Sequence, residues 1–531
     1  MTTKPHILIT DKIASSGIDL LQDHDAVDVS VQTGLTPAAL REVLPSYDGL
    51  IVRSATKVTA EVIDAATSLQ IIGRAGIGVD NIDVDAATRR GIIVMNTPEG
   101  NMNTAAEHTI SMLLALSRAI PQASAEVKAG VWERHKFLGV EVVNKTLGVV
   151  GLGRIGGLVV RKAQGLGMQA IAYDPYISHD AAQKLGVELM SLPDLLQQAD
   201  YVTVHTPKTA ETKALIGRDE LKLVKRGVQM INCARGGIID EEALYDALVN
   251  GTVAGAALDV FEQEPPPADH PLLQLDNVIC TPHLGAQTEE AQERVAIGVA
   301  EQMLDFFVHG QIKNAVNMPN LDAESYHALQ PYLALATRLG AFQVQLIEGG
   351  ITDVTVSYSG EVVGLGVKPM TAAVLCGVLG HFLGQQVNYV NAPFLARERG
   401  IRVVERQQQD PEDYASLIEV KIGTESQRGR VAGTLFGRDD ARIVSIDNFA
   451  IEAVLEGHML LFSNQDTPGV IGRIGTIFGN ANINIAGFRL GRTAPHGTAV
   501  CVVNVDSAIP PEVLDAIHDI PNLIYVKTVN L

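Results

Sequence analysis

A chain of 531 residues is longer than one ordinary core accommodates and points to about three or four domains. With 46% hydrophobic residues, 49 glycines and 23 prolines it reads as folded and turn-rich throughout, which excludes a long disordered tail. Its 41 Lys plus Arg against 61 Asp plus Glu leave a net charge of -20, which excludes nucleic acid and anionic membrane as expected partners but not a small anion met by local arginines.

The opening MTTKPHILITDKI is broken by Asp11 and Lys12, so it reads as neither a signal peptide nor a membrane span. Cys233, Cys280, Cys376 and Cys501 are scattered in apolar surroundings with no metal spacing and no disulfide framework. No metal is expected, and the cytoplasm is the expected compartment. The first hundred residues then alternate apolar strands, HILIT, VDVSV, GLIVR, LQIIGRAG and IIVMN, with helical stretches, the signature of a parallel α/β sheet. Ligand groups in such sheets gather beyond the carboxyl ends of strands, where Arg53, Arg74, Gly76 and Asn101 fall, and two arginines there suggest a shared anion site.

The stretch NTAAEHTISMLLALSRAIPQASAEVKAG is predicted to be one long crossover helix kinked at Pro121. VWERHKFLG follows, where Trp132, the only tryptophan, stands among basic residues as either a core residue or an interface anchor. From residue 146, TLGVVGLGRIGGLVVRKAQGLGMQAIAYD supplies strand, glycine turn, helix and second strand. Gly151, Gly153 and Gly156 satisfy the dinucleotide fingerprint in its full structural context, with Arg154 and Ile155 opening the helix on which a pyrophosphate would rest. Asp174 ends the next strand, where its carboxylate would accept the ribose hydroxyls and repel a 2'-phosphate; Pro175 follows in place of a basic residue, so NAD is expected over NADP.

Four further strands, ADYVTVHTP, GVQMINCARGG, VAGAALDVF and NVICTPHLGA, deliver Thr206, Arg235, Asp259 and His283 to the same edge. Cofactor contacts are expected there too, at Thr206, Cys233, Ala234, Arg235, Asp259, His283, Gly285 and Ala286. Arg235 could hold the carboxylate of a 2-hydroxy acid, His283 could accept the hydroxyl proton, and Glu264 could bind the other imidazole nitrogen. Asp259 is expected to orient the nicotinamide end or to support Arg235. Beyond about residue 317 the texture turns β-rich with no second nucleotide fingerprint, and residues 458 to 531 read β-α-β-β-α-β, a ferredoxin-like order suited to binding or regulation.

These residues leave open a dehydrogenase of another 2-hydroxy or 2-oxo acid, such as lactate, glycerate or 2-oxoglutarate, and an NAD-sensing corepressor. Intact Arg235, Glu264 and His283, with no recognisable nucleic-acid-binding segment, favour an enzyme.

The segments GRAGIGVDNIDVDAATRRGIIVMNTPEGNMNTAAEHT, LGVVGLGRIG, NCARGGIIDEEAL, ALDVFEQEP, TPHLGAQTEEAQ, VNYVNAPFLARERGI and DTPGVIGRIGTIFGNANINIA resemble the long, four-region D-3-phosphoglycerate dehydrogenases of the D-isomer-specific 2-hydroxyacid dehydrogenase family over nearly the whole chain. The resemblance implies two Rossmann-like lobes, an α+β intervening domain and a ferredoxin-like ACT domain. It places a discontinuous substrate-binding domain at 1–99 and 288–316, the NAD domain at 100–287, the intervening domain at 317–454 and the ACT domain at 458–531. It implies NAD-dependent oxidation of 3-phosphoglycerate to 3-phosphohydroxypyruvate, with Arg235, Glu264 and His283 catalytic and with Arg53, Ser54, Arg74, Gly76 and Asn101 at the substrate. It also implies that Trp132 and Arg134 reach a neighbouring subunit's site in a homodimer or homotetramer. L-serine is the implied effector, near Asn464, Asp466, Gly469 and Asn482. Ile77 departs from the threonine common in related sequences.

Overall fold

The early apolar runs form one parallel sheet, ordered Asp28–Val31, His6–Ile9, Gly49–Val52, Ile71–Arg74 and Ile93–Asn96, in a computed structural model that describes residues 4–319, 323–410 and 413–531. The first three residues of the opening segment, and 320–322 and 411–412 in the β-rich region, lie outside the described residues. The central strands are buried on both faces, which is why their apolar runs are continuous and not alternating. One covering helix comes from far along the chain: Glu289–His309 lays Val295, Val299, Ala300 and Met303 into the core of Ile7, Ile9, Ile51 and Ile71. The Thr288 hydroxyl caps it by accepting the Ala291 amide, Glu289 and Glu290 complement its positive end, and Gly310 stops it in the left-handed region.

Between the chain's departure near Asn101 and its return at Thr288 runs a seven-stranded parallel sheet. Its order is Val278–Cys280, Val253–Leu258, Val228–Asn232, Tyr201–Val204, Thr146–Val150, Gln169–Tyr173 and Glu188–Leu189. Sequence order reverses between Tyr201–Val204 and Thr146–Val150, and at such a switch point the carboxyl ends open a crevice. The crossover is two helices, Met102–Ser117 and Ile120–Lys128, and not one helix kinked at Pro121. The break falls at Ala119, with φ 47°, and Pro121 occupies the first turn of the second helix, where its missing N–H leaves no bond unmade.

In the β-rich region a six-stranded mixed sheet packs on helices Ala323–Leu346 and Lys368–Leu383; its strand Ile351–Gly360 pairs parallel with Arg402–Gln408 and antiparallel with Ser416–Thr424. The last unit is an antiparallel sheet ordered Ile485–Arg492, Thr498–Val505, His458–Gln465 and Leu523–Asn530, the ferredoxin-like arrangement expected. Strand His458–Gln465 is buried on both faces: Leu460 and Phe462 meet helices Val470–Asn480 and Pro511–His518, while Met459 and Leu461 join the core of the mixed-sheet unit. That unit in turn touches the first lobe, where Asn388 donates to the Gly91 carbonyl at 2.8 Å and Val390 enters the lobe's core. Among the described residues no helix is long and apolar enough to cross a membrane.

Candidate active site

The carboxyl ends of the two parallel sheets face each other across a cleft of about 960 Å³. Arg53, Ser54, Arg74 and Gly76 line it from the first lobe, Asn101 from the crossing between lobes, and Arg154, Ile155, Thr206, Cys233, Ala234 and Arg235 from the second. Glu264, His283, Gly285 and Ala286 complete it. Trp132 and Arg134 line no part of the cleft within their own chain: both lie on the surface, Trp132 80% exposed, so a substrate contact by either needs a second subunit. The exposure also removes the core reading of Trp132.

Gly151 leaves its strand at φ 94°, and helix Arg154–Gly165 begins directly after Gly153. A Cβ on Gly156 would stand 2.1 Å from the Gly151 carbonyl oxygen, so only glycine lets this helix approach the turn so closely. At Gly153 a Cβ would meet nothing within 4 Å, which leaves room for a ligand. Asp174 is held beside the turn: its Oδ2 accepts the Leu152 amide and its Oδ1 the Tyr176 amide, both at 2.9 Å. Thr206 Oγ1 is buried without a hydrogen-bond partner in the protein, an atom that a bound ligand would satisfy. This set fits a dinucleotide, with pyrophosphate on the turn's amides and ribose at Asp174. Burial pushes the neighbouring His205 down to about 4, so it lines the cleft as a neutral imidazole.

His283 Nδ1 lies 2.7 Å from Glu264 Oε2, and Glu264 Oε1 accepts the Phe261 amide at 3.1 Å. Burial tends to raise the Glu264 carboxyl, but the bond to His283, its charge and the Phe261 amide outweigh that and hold it below the usual carboxylate range. His283 itself is in the left-handed region, φ 55°, a strained backbone that its surroundings must fix. Buried Asp259 does this. Its Oδ1 accepts Thr281 Oγ1 at 2.6 Å and the Leu284 amide at 2.7 Å, and its Oδ2 accepts the Gly285 amide at 2.9 Å. His108 Nε2, 3.1 Å from Asp259 Oδ1, closes the network. Asp259 therefore organises the His283 loop; of the two roles expected for it, support of Arg235 is not among its hydrogen bonds, which go to that loop and to His108. No spacing in the sequence pairs His108 with Asp259; only the fold brings them together.

Three guanidinium groups face this dyad. Arg53 donates to Gln292 Oε1 at 3.2 Å, on the returning helix, and to Gln287 Oε1 at 3.0 Å, just before the return at Thr288. Arg74 Nε is buried with no partner in the protein, and burial, with repulsion from Arg235 and Arg53, pushes this guanidinium down to about 10. Arg235 donates from Nη1 to the Ala234 carbonyl at 2.7 Å and from Nε to Asp80 at 2.7 Å. Asp80, Gln287 and Gln292 lie within GRAGIGVDNIDV and TPHLGAQTEEAQ, but neither segment shows which arginine each would meet, and the cleft-lining Lys208 lies outside the segments that mark the family. Far from the cleft, Asp466 Oδ2 accepts Arg492 at 2.8 Å, Asn464 is buried, Gly469 precedes helix Val470–Asn480 and Asn482 follows its end in the left-handed region.

The model of the D-isomer specific 2-hydroxyacid dehydrogenase NAD binding domain matches residues 110–285, which span the second sheet. The D-3-phosphoglycerate dehydrogenase intervening domain matches 328–447 and the ACT domain 458–522. The chain is 43% identical to the D-3-phosphoglycerate dehydrogenase of Archaeoglobus fulgidus, over 99% of this chain and 100% of that one. It belongs to the D-3-phosphoglycerate dehydrogenase family. The Bacillus subtilis member of the family is 41% identical over 99% of both chains. Among solved structures, a glyoxylate reductase from Paecilomyes thermophila is similar with a TM-score of 0.56 and 30% identity, over 60% of this chain and 99% of that one. An NAD-dependent formate dehydrogenase from Staphylococcus aureus in complex with NAD follows at 0.53 and 28%, over 58% and 97%. These two coverages correspond to the two-lobed part of the chain; the regions matched to intervening and ACT domains mark the long form.

Proposed function

We propose that the chain oxidises D-3-phosphoglycerate to 3-phosphohydroxypyruvate with NAD, the first step of the phosphorylated route to L-serine. The observation that carries this reading is one cleft in which the His283–Glu264 pair faces Arg235, Arg74 and Arg53: a proton acceptor opposite enough positive charge for a substrate with both a carboxylate and a phosphate. Arg235 holds the carboxylate, and Arg53 and Arg74, with Ser54, Gly76 and Asn101 beside them, take the phosphate end. Bound nicotinamide would accept the hydride from C2. Glu264 keeps a proton on His283 Nδ1, so Nε2 takes the hydroxyl proton in oxidation and returns it in reduction. Residues 1–99 with 288–316 act as the substrate lobe and 100–287 as the cofactor lobe, with 317–454 and 458–531 as regulatory units; closure of the first two excludes water. Comparing turnover of 3-phosphoglycerate with glycerate, lactate and 2-hydroxyglutarate tests the reading, and equal kcat/KM for an unphosphorylated acid would overturn it.

Asp174 sets cofactor choice. Asp174→Ala is expected to lower the NAD-over-NADP ratio of kcat/KM about tenfold or more, by removing a charged acceptor for the ribose hydroxyls and the repulsion of a 2'-phosphate. Its bond to the Leu152 amide also supports the glycine turn, so the NAD KM rises as well. Equal use of both cofactors by the unaltered protein would sink the assignment.

The carboxyl-terminal unit is proposed as the L-serine site, with Asn464, Asp466, Gly469 and Asn482 as contacts, in a homodimer or homotetramer. Val131, Trp132, Leu138 and Val143 supply an exposed apolar strip for such assembly, from which Trp132 and Arg134 would reach a neighbouring cleft. The four unpaired cysteines fit a reducing compartment, the cytoplasm, which fractionation would check. In the full-length chain, Asp466→Ala is expected to raise the serine concentration for half-inhibition about tenfold while basal kcat stays within about twofold. Cutting the chain near residue 316 is the poorer test, because it would strip Val390 from the first lobe's core and Asn388 from Gly91. Sizing by light scattering during the same titration checks the assembly: a monomer that still responds to serine would refute the intersubunit part, and an unchanged response in Asp466→Ala would refute the site.

A further inference from the structure

The carboxylate held by Arg235 is on the opposite lobe. Asp80 stands in the loop after strand Ile71–Arg74, and its Oδ2 accepts the Arg235 Nε–H at 2.7 Å, a contact between residues 155 apart in sequence. With Nη1 bonded to the Ala234 carbonyl, two of the three guanidinium nitrogens are held by the protein. The third, Nη2, lies over Gly78: a Cβ there would stand 1.6 Å from Nη2 and 2.8 Å from Asp80 Oδ2, so any side chain at 78 would displace the pair. Asp80 is 56% exposed and Arg235 28%, so the ion pair adds little to stability, and its consequence is orientation. A guanidinium can meet a carboxylate through its Nε/Nη2 side or its Nη1/Nη2 end. With Nε given to Asp80, the end carrying Nη2 is the edge left for a ligand. Because the two residues come from different lobes, this arrangement depends on the cleft being closed.

We propose that Asp80 is a positioning residue, which assembles the carboxylate anchor on closure by fixing Arg235 with its Nη2 end toward the hydroxy-acid carboxylate. This rests on the reading of Arg235 as that anchor. Two other roles for Asp80 make opposite forecasts. A placeholder that the substrate must displace would lower affinity, so its removal would help binding. Simple field effects have the same sign, since deleting a negative charge beside three arginines strengthens attraction for an anion. A loss of substrate affinity on removing Asp80 therefore isolates alignment.

The test is steady-state kinetics on the full-length protein, Asp80→Ala, Asp80→Asn, Arg235→Ala and the double variant Asp80→Ala/Arg235→Ala, with 3-phosphoglycerate and NAD varied separately. Asp80→Ala should raise the 3-phosphoglycerate KM about tenfold and leave the NAD KM within about twofold, the latter also reporting an intact fold. Asp80→Asn should recover most of the loss, because its amide oxygen still accepts from Nε. In the Arg235→Ala background, Asp80→Ala should add no further loss in kcat/KM. A lowered or unchanged KM in Asp80→Ala overturns the proposal, the former in favour of a placeholder; an equal loss with and without Arg235 also overturns it, in favour of a loop-structure role. If Arg235→Ala alone leaves 3-phosphoglycerate use intact, the anchor reading and the proposal fall together, whereas a harmful Arg235→Ala beside a silent Asp80→Ala removes only the proposal.

Discussion

His283→Ala is expected to lower kcat by about 10²–10⁴-fold while the KM for NAD stays within about twofold. The imidazole proposed as proton acceptor has its geometry fixed from both sides: Glu264 holds Nδ1 at 2.7 Å, and Asp259 holds the backbone that carries it through the Leu284 and Gly285 amides. Removing the ring leaves the glycine turn and Asp174 untouched, so cofactor binding should survive. Glu264→Gln separates orientation from charge. An amide can keep one hydrogen bond to Nδ1, but it loses the negative charge that favours a protonated ring. Glu264→Gln should therefore lower kcat, by less than His283→Ala does, while leaving the NAD KM within about twofold. Glu264 is held below the usual carboxylate range, so in the unaltered protein it is ionised throughout the neutral region and the comparison is clean there. Near-normal turnover by folded His283→Ala would remove the imidazole from proton transfer.

The parts of the site legible in the sequence are those that local chain geometry controls. A glycine turn between a strand and a helix has one structural meaning, and parallel strands bring their carboxyl ends to one edge, so the sequence alone gathers Thr206, Arg235, Asp259 and His283. What stayed hidden depends on contacts between lobes or around corners. The Arg235–Asp80 pair, the grip of Gln287 and Gln292 on Arg53, and the His108–Asp259 contact join residues far apart in sequence, and none leaves a periodic trace. The kink assigned to Pro121 failed for a local reason: proline is as comfortable in a first turn as it is disruptive in a helix interior, and periodicity alone did not distinguish the two.

Arg74→Met is expected to raise the KM for 3-phosphoglycerate about 100-fold and, in the ligand-free protein, to raise the thermal midpoint by about 2 °C or more. The two effects share one cause. Arg74 Nε is buried without a partner, and the guanidinium is pushed down to about 10 by burial first and then by Arg235 and Arg53. A base depressed in the folded state costs stability wherever both states are protonated, so below about pH 10 the whole penalty is present, and it is relieved only as pH rises past that value. Methionine keeps an unbranched apolar stem and carries no charge to repel Arg235, so the folded protein gains what the anion site gives up. Adding 3-phosphoglycerate should reverse the order, since ligand binding stabilises the unaltered protein by mass action and barely reaches the variant. Differential scanning fluorimetry with and without the substrate, beside kinetics on a phosphorylated and an unphosphorylated hydroxy acid, checks both halves. An equal kinetic loss on the two substrates would assign Arg74 to structure, and a lowered midpoint in the ligand-free variant would mean that its charge is balanced in the fold and is not waiting for a phosphate.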